Sequence, residues 1–426
     1  MATPLRCPTL KTPTGARCLW LATLAVVATS VPLAAAESDG ATNISALDRN
    51  AVLTLSAQAP EVAVAEARLG EARALRVGAG ALASANPELL LFGGPRRLAT
   101  GDRSTDLVLS LMWPIDVAGV PSARKEAAER NIAVADAEAA DVRRMVAAES
   151  LLLWVEARGA EARVTLERTR AALDQELVRI ARVRRQVGVV GDADVALADI
   201  VASDGRARLA QATSEAEATL WLLGGRLGLP STYAIALAGT LEEAAPLPAL
   251  AALIARLPRR ADVIRAERAQ PAAVADRTRE ARLGVPLPRL MLGIGRENET
   301  FARLGLDVPL PVYQRNQTNR AIAEARVTTT EVEQVMIVRA AEAELRASYA
   351  RYVGARDAWQ TRAAALPSVA DVERLAMRGY ELGSVPLSTV IVSRREAAGA
   401  RTAHLEGLVG MARARVGVER AAGMLP

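Results

Sequence analysis

The chain repeats itself, and that constrains its fold more than any other feature. Shifted by 195 residues, its halves align without gaps: Leu109 meets Leu304, Pro114 meets Pro309, Glu129 meets Glu324, Gly188 meets Gly383 and Gly228 meets Gly423. Upstream the offset is 201, pairing Val62 with Val263, Pro87 with Pro288, Leu91 with Leu292 and Gly94 with Gly295. Chance likeness between alanine-rich helices does not align glycines and prolines at a fixed offset, so the pattern is read as a duplication. The second copy has lost six residues between its two strand-like runs, where a surface loop tolerates change.

Each copy reads the same way. A moderate helix comes first, over 60–85 and 260–282. Two short strands follow, PELLLFGG with LVLSLMW and then PRLMLGIG with FARLGLDV, separated by the polar loops PRRLATGDRSTD and RENET. Ala302, Leu304, Leu306 and Val308 alternate with Arg303, Gly305 and Asp307, which is the period of a strand with one apolar face. A very long helix follows, over 121–187 and 318–382. Its apolar residues recur at three- and four-residue steps, as at Leu173, Leu177 and Ile180. At 1.5 Å per residue it is about 100 Å long. A glycine turn ends it, and a return helix runs over 192–227 and 387–423. The expected units are 37–230, with a hairpin at 87–114, and 231–426, with a hairpin at 288–309. The proline-marked segment 231–258 crosses between them near mid-height.

Composition fits long, closely packed helices. Hydrophobic residues make up 51% of the chain but aromatics only 3%, and alanine supplies much of the difference. Residues 1–36 read as a cleaved signal peptide, with a basic start, the apolar run CLWLATLAVVA, and Ala34-Ala35-Ala36 before Glu37. Removing them leaves 50 basic and 48 acidic residues and no cysteine, since Cys7 and Cys18 both lie in the leader. No basic patch interleaved with aromatics points to nucleic acid. No disulfide or thiolate metal site is expected. His404 is the only histidine and reads as a structural helix residue, so no metal site and no cofactor is expected. GAGALA at 78–83 follows a helix rather than a strand and is not a dinucleotide fingerprint. No nucleophile–base pair is legible, and an enzyme is not expected. No later run is apolar enough for a transmembrane helix.

Four short strands cannot close a barrel, because small barrels need about eight. An open sheet edge in lipid leaves backbone groups unpaired. If the strands span a membrane, several protomers must share one barrel; the alternative is a soluble hairpin packed on a helix. The alternation and the export signal favour the membrane.

At this point the chain resembles the TolC family of outer-membrane efflux proteins, over essentially all of 40–425. The corner PLPVYQRNQ resembles that of the heavy-metal-efflux branch, the CzcC and CusC type. The Tyr380-Glu381-Leu382-Gly383 turn and the helix ending ERAAG also look like family features. The resemblance implies a mainly α fold with a small β part: a homotrimer whose twelve strands form one barrel, continuous with a coiled-coil α-helical barrel hanging into the periplasm. It implies an exit duct in the outer membrane of a Gram-negative bacterium. A periplasmic adaptor (membrane fusion protein) and an inner-membrane pump of RND type would drive it. A duct for type I protein secretion, or a periplasmic coiled-coil adaptor or scaffold, are the alternatives. Carried onto this chain, the adaptor-facing tips are Val187, Gly188 and Val189, and Leu382, Gly383 and Ser384. The candidate tunnel constriction is Asp192, Asp194, Thr389 and Val392. The family narrows its mouth with carboxylates after the second turn, where this chain has Thr389 and Val392, so the acidic part rests on the two aspartates. Their plainer reading is as caps of the return helix. The strand-to-helix corners are Pro114, Pro309, Pro311, Arg315 and Asn316, expected to share a course and to differ in rigidity. Pro367, matched by Ala172, predicts a kink in one long helix only.

Overall fold

The computed structural model describes residues 46–81, 85–242, 246–297 and 299–426. The signal-peptide reading therefore lies outside the described residues. In chain order the elements are α1 (Arg49–Ser56), α2 (Pro60–Ala79), β1 (Glu88–Arg97), β2 (Arg103–Pro114), α3 (Val120–Gln186), α4 (Asp192–Arg226), α5 (Leu250–Ile254), α6 (Ala261–Leu283), β3 (Arg289–Glu297), β4 (Glu299–Asp307), α7 (Gln317–Glu381) and α8 (Leu387–Ala421). A single 3-10 turn, Leu257–Arg259, precedes α6. The long helices α3 and α7 have 67 and 65 residues and both return helices have 35. Each long helix packs antiparallel on its own return helix, and α6 lies between α3 and α7.

Some boundaries differ from the sequence expectation. Helix α1 was missed: Asp48 caps it by accepting from the Ala51 N–H at 2.7 Å, and Val52 is buried on its inner face. Helix α2 stops at Ala79 rather than 85 because Gly80 ends it. The long helix α7 runs unbroken through Pro367, whose ring is exposed, so the lost hydrogen bond falls on an exposed face.

The four strands form one antiparallel meander in the order β1-β2-β3-β4. Both polar loops are largely ladder. The first hairpin pairs out to Arg97↔Arg103 and the second to Glu297↔Glu299. The lost residues come equally from both arms, so register survives: Leu91↔Leu109 in copy one corresponds to Leu292↔Leu304 in copy two. An unequal loss by one residue would have turned every side chain to the other face.

Three large apolar clusters hold the helices. One at mid-height joins Leu47, Val52, Leu151, Trp154, Leu223 and Val416. Trp154 Nε1 donates to the Leu47 carbonyl at 3.0 Å, which fixes the segment that pairs Leu47 with Leu237. A second gathers Leu253, Leu257, Val263, Leu345 and Val418. The third, near the tips, holds Leu177, Ala181, Ala198, Tyr380, Leu387 and Val390. The alanines let backbones approach closely, and each Leu fills one layer. Among the described residues, no helix is long and apolar enough to cross a membrane.

Candidate functional site: sheet faces, corners and helical tips

Pairing sorts the strand residues onto two faces. One face carries Leu89, Leu91, Leu107, Leu109, Leu111 and Trp113 from the first hairpin, with Leu290, Leu292, Ile294, Ala302, Leu304 and Leu306 from the second. Leu89, Leu91, Leu304 and Leu306 are more than half exposed on it. The opposite face carries charge. Arg289 is 3.0 Å from Asp307 and 3.6 Å from Glu88, Arg303 is 3.3 Å from Glu297, and Arg96 is 3.6 Å from Asp106. That face also holds Leu90, Phe92, Val108, Met112, Met291 and Phe301, so the sheet is apolar on one side and mixed, ionic and apolar, on the other, which suits a wall between hydrocarbon and water. Its outer strands, β1 and β4, each have one unpaired edge.

The helices leave matching vacancies. The intrachain pairs α3–α6, α3–α8 and β2–β3 join copy one to copy two. By repeat symmetry α7 should meet an α2 and an α4, and β4 a β1, but within the chain no such packing is substantial. The surfaces concerned expose Val64 and Leu75 on α2, Trp221 on α4, and Val332, Met336 and Leu375 on α7.

The two corners do not share a course. Strand β2 pairs through Pro114, and only 115–119 separate it from α3, whereas 308–316 separate β4 from α7. Pro309 and Pro311 both lie in the longer corner, past the end of the ladder. Both corners end on a left-handed residue, Gly119 (φ 68°) and Asn316 (φ 57°), directly before the helix. Asparagine tolerates this conformation better than most non-glycine residues. In the short corner, Asp116 Oδ1 accepts from the N–H groups of Ala118 and Val120, each at 3.2 Å. In the long one, Arg315 Nε donates to the Pro311 carbonyl at 2.8 Å.

One helix end anchors both corners. Arg282 of α6 donates to the Gly119 carbonyl at 2.7 Å. Asn316 Nδ2 donates to the Glu280 carbonyl at 2.9 Å and to its Oε2 at 2.7 Å. A Cβ on Gly284 would stand 2.6 Å from the Arg315 carbonyl oxygen. A Gly284→Ala substitution must therefore move the corner backbone. It is expected to destabilise by about 1–3 kcal/mol, read as a lower melting temperature of the detergent-solubilised protein; an unchanged melt would mean the corner yields freely.

At the opposite end lie the tips. Gly188 (φ 75°) and Gly383 (φ 77°) make the reversals, in a conformation only glycine takes without strain. Val187, Val189 and Leu382 are exposed there, and Ser384 Oγ donates back to the Gly379 carbonyl at 2.9 Å. The two tips are tied together. Arg184 donates to the Tyr380 carbonyl, and its guanidinium carbon lies 4.4 Å from the centre of the Tyr380 ring. Burial raises the Tyr380 pKa, against the nearby Arg184 charge and with that of Asp194.

Asp192 and Asp194 do not cap α4. Its N-cap is Gly191, without a side-chain bond, and the aspartates occupy the first turn, where the helix dipole favours negative charge. Asp192 is exposed and pairs with Arg185 on its own hairpin, while Asp194 is half-buried. Thr389 and Val392 are exposed in the first turns of α8.

Sequence reasoning missed a buried ionic cluster above the tips. Asp174 and Glu167 of α3 are both buried. Arg208 of α4 lies 3.4 Å from Glu167 and 3.8 Å from Asp174. Arg394 of α8 donates to the Leu173 carbonyl at 2.5 Å and to Met377 Sδ at 3.5 Å. Arginine is so common in this chain that sequence carries no signal distinguishing these from surface residues. The lone His404 sits beside Trp359, ring centroids 6.0 Å apart, and among the described residues no cluster of His, Cys, Asp and Glu is suited to a metal ion.

No family model matches the chain. It is 27% identical over 369 residues to the cobalt-zinc-cadmium resistance protein CzcC of Cupriavidus metallidurans, covering 84% of this chain and 83% of that protein. Among solved structures it is similar to CusC, with a TM-score of 0.74 and 18% identity over 88% of this chain and 91% of CusC. It is also similar to the open state of the Neisseria gonorrhoeae outer-membrane channel MtrE, with a TM-score of 0.73 and 17% identity over 88% of each chain. The resemblance read from the repeat and the corner is thus borne out, and the chain has the fold of the TolC family's outer-membrane channels.

Proposed function

We propose that the protein is the outer-membrane exit duct of a tripartite efflux system, working as a homotrimer. The observation that carries this reading is the set of matching vacancies. A β4 edge next to a β1 edge, and an α7 next to another chain's α2 and α4, would repeat within an assembly the junctions that the duplication already makes within the chain. Three chains would then give twelve strands, enough to close a barrel with its apolar face on lipid and its mixed face on the lumen. The helices would extend into the periplasm as a tunnel.

The tips, Val187–Val189 and Leu382–Ser384, are the surfaces for a periplasmic adaptor, which would link the duct to an inner-membrane pump of RND type. The first turns of α4 and α8, with Asp192, Asp194, Thr389 and Val392, would line the tunnel mouth. The likeness to a cobalt-zinc-cadmium resistance protein supports divalent heavy-metal ions as the cargo. Transport is passive, with energy supplied by the pump.

Fractionation and a deletion strain test this together. The protein is expected in the outer membrane as a detergent-stable trimer, and cells lacking it are expected to lose resistance to divalent metals. Recovery of a monomer from the soluble periplasm would sink the proposal, and loss of protein secretion with metal resistance intact would replace it with the secretion duct.

A further inference from the structure

The apolar face of the sheet gives way toward the hairpin tips to three rows, two of which carry arginine and none a carboxylate. Along that face the rows read Leu89–Leu111–Leu292–Leu304, then Leu91–Leu109–Ile294–Ala302, then Gly93–Leu107–Arg296–Thr300. Beyond them come Pro95–Thr105 and finally Arg97–Arg103. Arg97 and Arg103 are directly opposite each other, an arrangement in which like charges repel. All three arginines are exposed. No ion pair among the described residues engages any of them, whereas Arg96 and Arg303 on the other face are both paired. The carboxylates of the two arms near this end, Asp106, Glu297 and Glu299, all fall on that other face, with opposite parity in the ladder. Asp102, in the turn, accepts from Thr100 Oγ1 at 3.1 Å.

We propose that Arg97, Arg103 and Arg296 form a collar on the outward face of the barrel that binds the phosphate groups of lipids in the outer leaflet. The inference rests on the duct reading, which puts the hairpin tips at the outer surface. Its geometry is specific. Arg296 stands two residues beyond Ile294, about 7 Å above the apolar band at strand spacing, and Arg97 and Arg103 stand about 14 Å beyond Arg296's row. The three therefore span a headgroup layer rather than hydrocarbon. At the opposite end of the same face is Trp113, half exposed, an amphipathic residue suited to the other interface. Guanidinium groups match phosphate oxygens in pairs, and an anionic surface would offset the Arg97–Arg103 repulsion, which no ion pair among the described residues relieves. A periplasmic or lumenal anion is disfavoured as the occupant because the side chains share the lipid face with the leucines.

The test uses the whole mature protein, purified as its detergent-stable oligomer. It is incubated with phosphatidylcholine vesicles containing diphosphorylated lipid A, or the same glycolipid without phosphates, and retained glycolipid per protomer is measured. Wild type is expected to retain the phosphorylated form selectively. The triple variant Arg97→Gln, Arg103→Gln, Arg296→Gln is expected to run as the same oligomer and retain at least about fivefold less, the usual effect of losing even one cation at an anionic surface. Arg303→Gln, on the lumenal face, is expected to match wild type. Equal retention by wild type and triple variant, an equal loss in Arg303→Gln, or full displacement by millimolar inorganic phosphate would each overturn the collar. Failure of the duct reading would look different: wild type would form no membrane-embedded oligomer, and the collar would fall with it.

Discussion

Replacing Arg260 with alanine is expected to destabilise the protein by about 2–3 kcal/mol, the usual scale for losing hydrogen bonds to charged groups, here to the half-buried carboxylates of Asp262 and Glu344. The side chain is 6% exposed and joins three helices at mid-height. Its Nε and Nη2 donate to both oxygens of Asp262 on α6, at 2.7 and 2.8 Å. Nη2 is 2.7 Å from Glu344 on α7, and Nη1 donates to the Ala421 carbonyl at the end of α8, at 2.9 Å. The planar fork makes all of these contacts at once, so Arg260→Lys is expected to recover only part of the loss.

The pH dependence comes from the same geometry. Burial works against ionisation of Asp262 and Glu344, but the Arg260 bonds and charge, with Arg420 beside Glu344, prevail and lower both pKa values. A carboxylate whose folded pKa is depressed contributes stability above its unfolded pKa, about 4, and loses it as pH falls through the folded value. The difference between wild type and Arg260→Ala should therefore be largest at neutral pH and shrink below about pH 4. Thermal unfolding of the solubilised protein across pH reads it, and a difference independent of pH would mean that packing, not charge, holds the junction.

The second large effect is expected at the lower end of the helices. There α3 packs on α8, Arg184 of α3 lies on Tyr380 of α7, and Arg394 of α8 donates to the Leu173 carbonyl of α3, so these contacts join the two helical hairpins. The Arg184→Ala, Arg394→Met double variant removes both ties while keeping the apolar layer of Leu177, Leu387 and Val390. In planar bilayers its conductance is expected to rise severalfold over wild type, with a smaller rise in each single variant. Unchanged conductance would show that the apolar layer alone holds the hairpins together.

Asp174 sharpens this test because its sign is opposite to that of Asp262. Burial raises its pKa, against the pull of Arg170, Arg394 and Arg208. A carboxylate with a raised folded pKa contributes stability that is present below its unfolded pKa and lost as pH rises through the folded one. Asp174→Asn is therefore expected to leave the melting temperature at pH 7 unchanged or higher, while Asp262→Asn lowers it. Burial lowers the pKa of Arg394, opposed first by Asp174, so the two groups are linked across the hairpins rather than along one of them.

The sequence by itself determined the plan: the duplication, the long helices and their returns, the glycine reversals at 188 and 383, and the alternation that turns Leu304 and Leu306 to one face and Asp307 to the other. These are local or periodic properties. Helical and strand periods, glycine's access to positive φ and proline's lack of an N–H are carried by neighbours in the chain. The tertiary structure alone decided the rest. Ladder pairing drew polar residues such as Arg97 and Arg103 into strands, because a partner strand satisfies their backbone groups whatever their side chains. The corners diverged to five and nine residues because each had to meet the end of α6, which is remote in sequence from the first of them. Which arginines became ties between helices, the buried Arg260 and the half-buried Arg394 among many, was settled by the carboxylates and carbonyls that packing brought from distant helices. An arginine in a surface row and one in a junction look alike over a helical window; they differ only in what stands across from them.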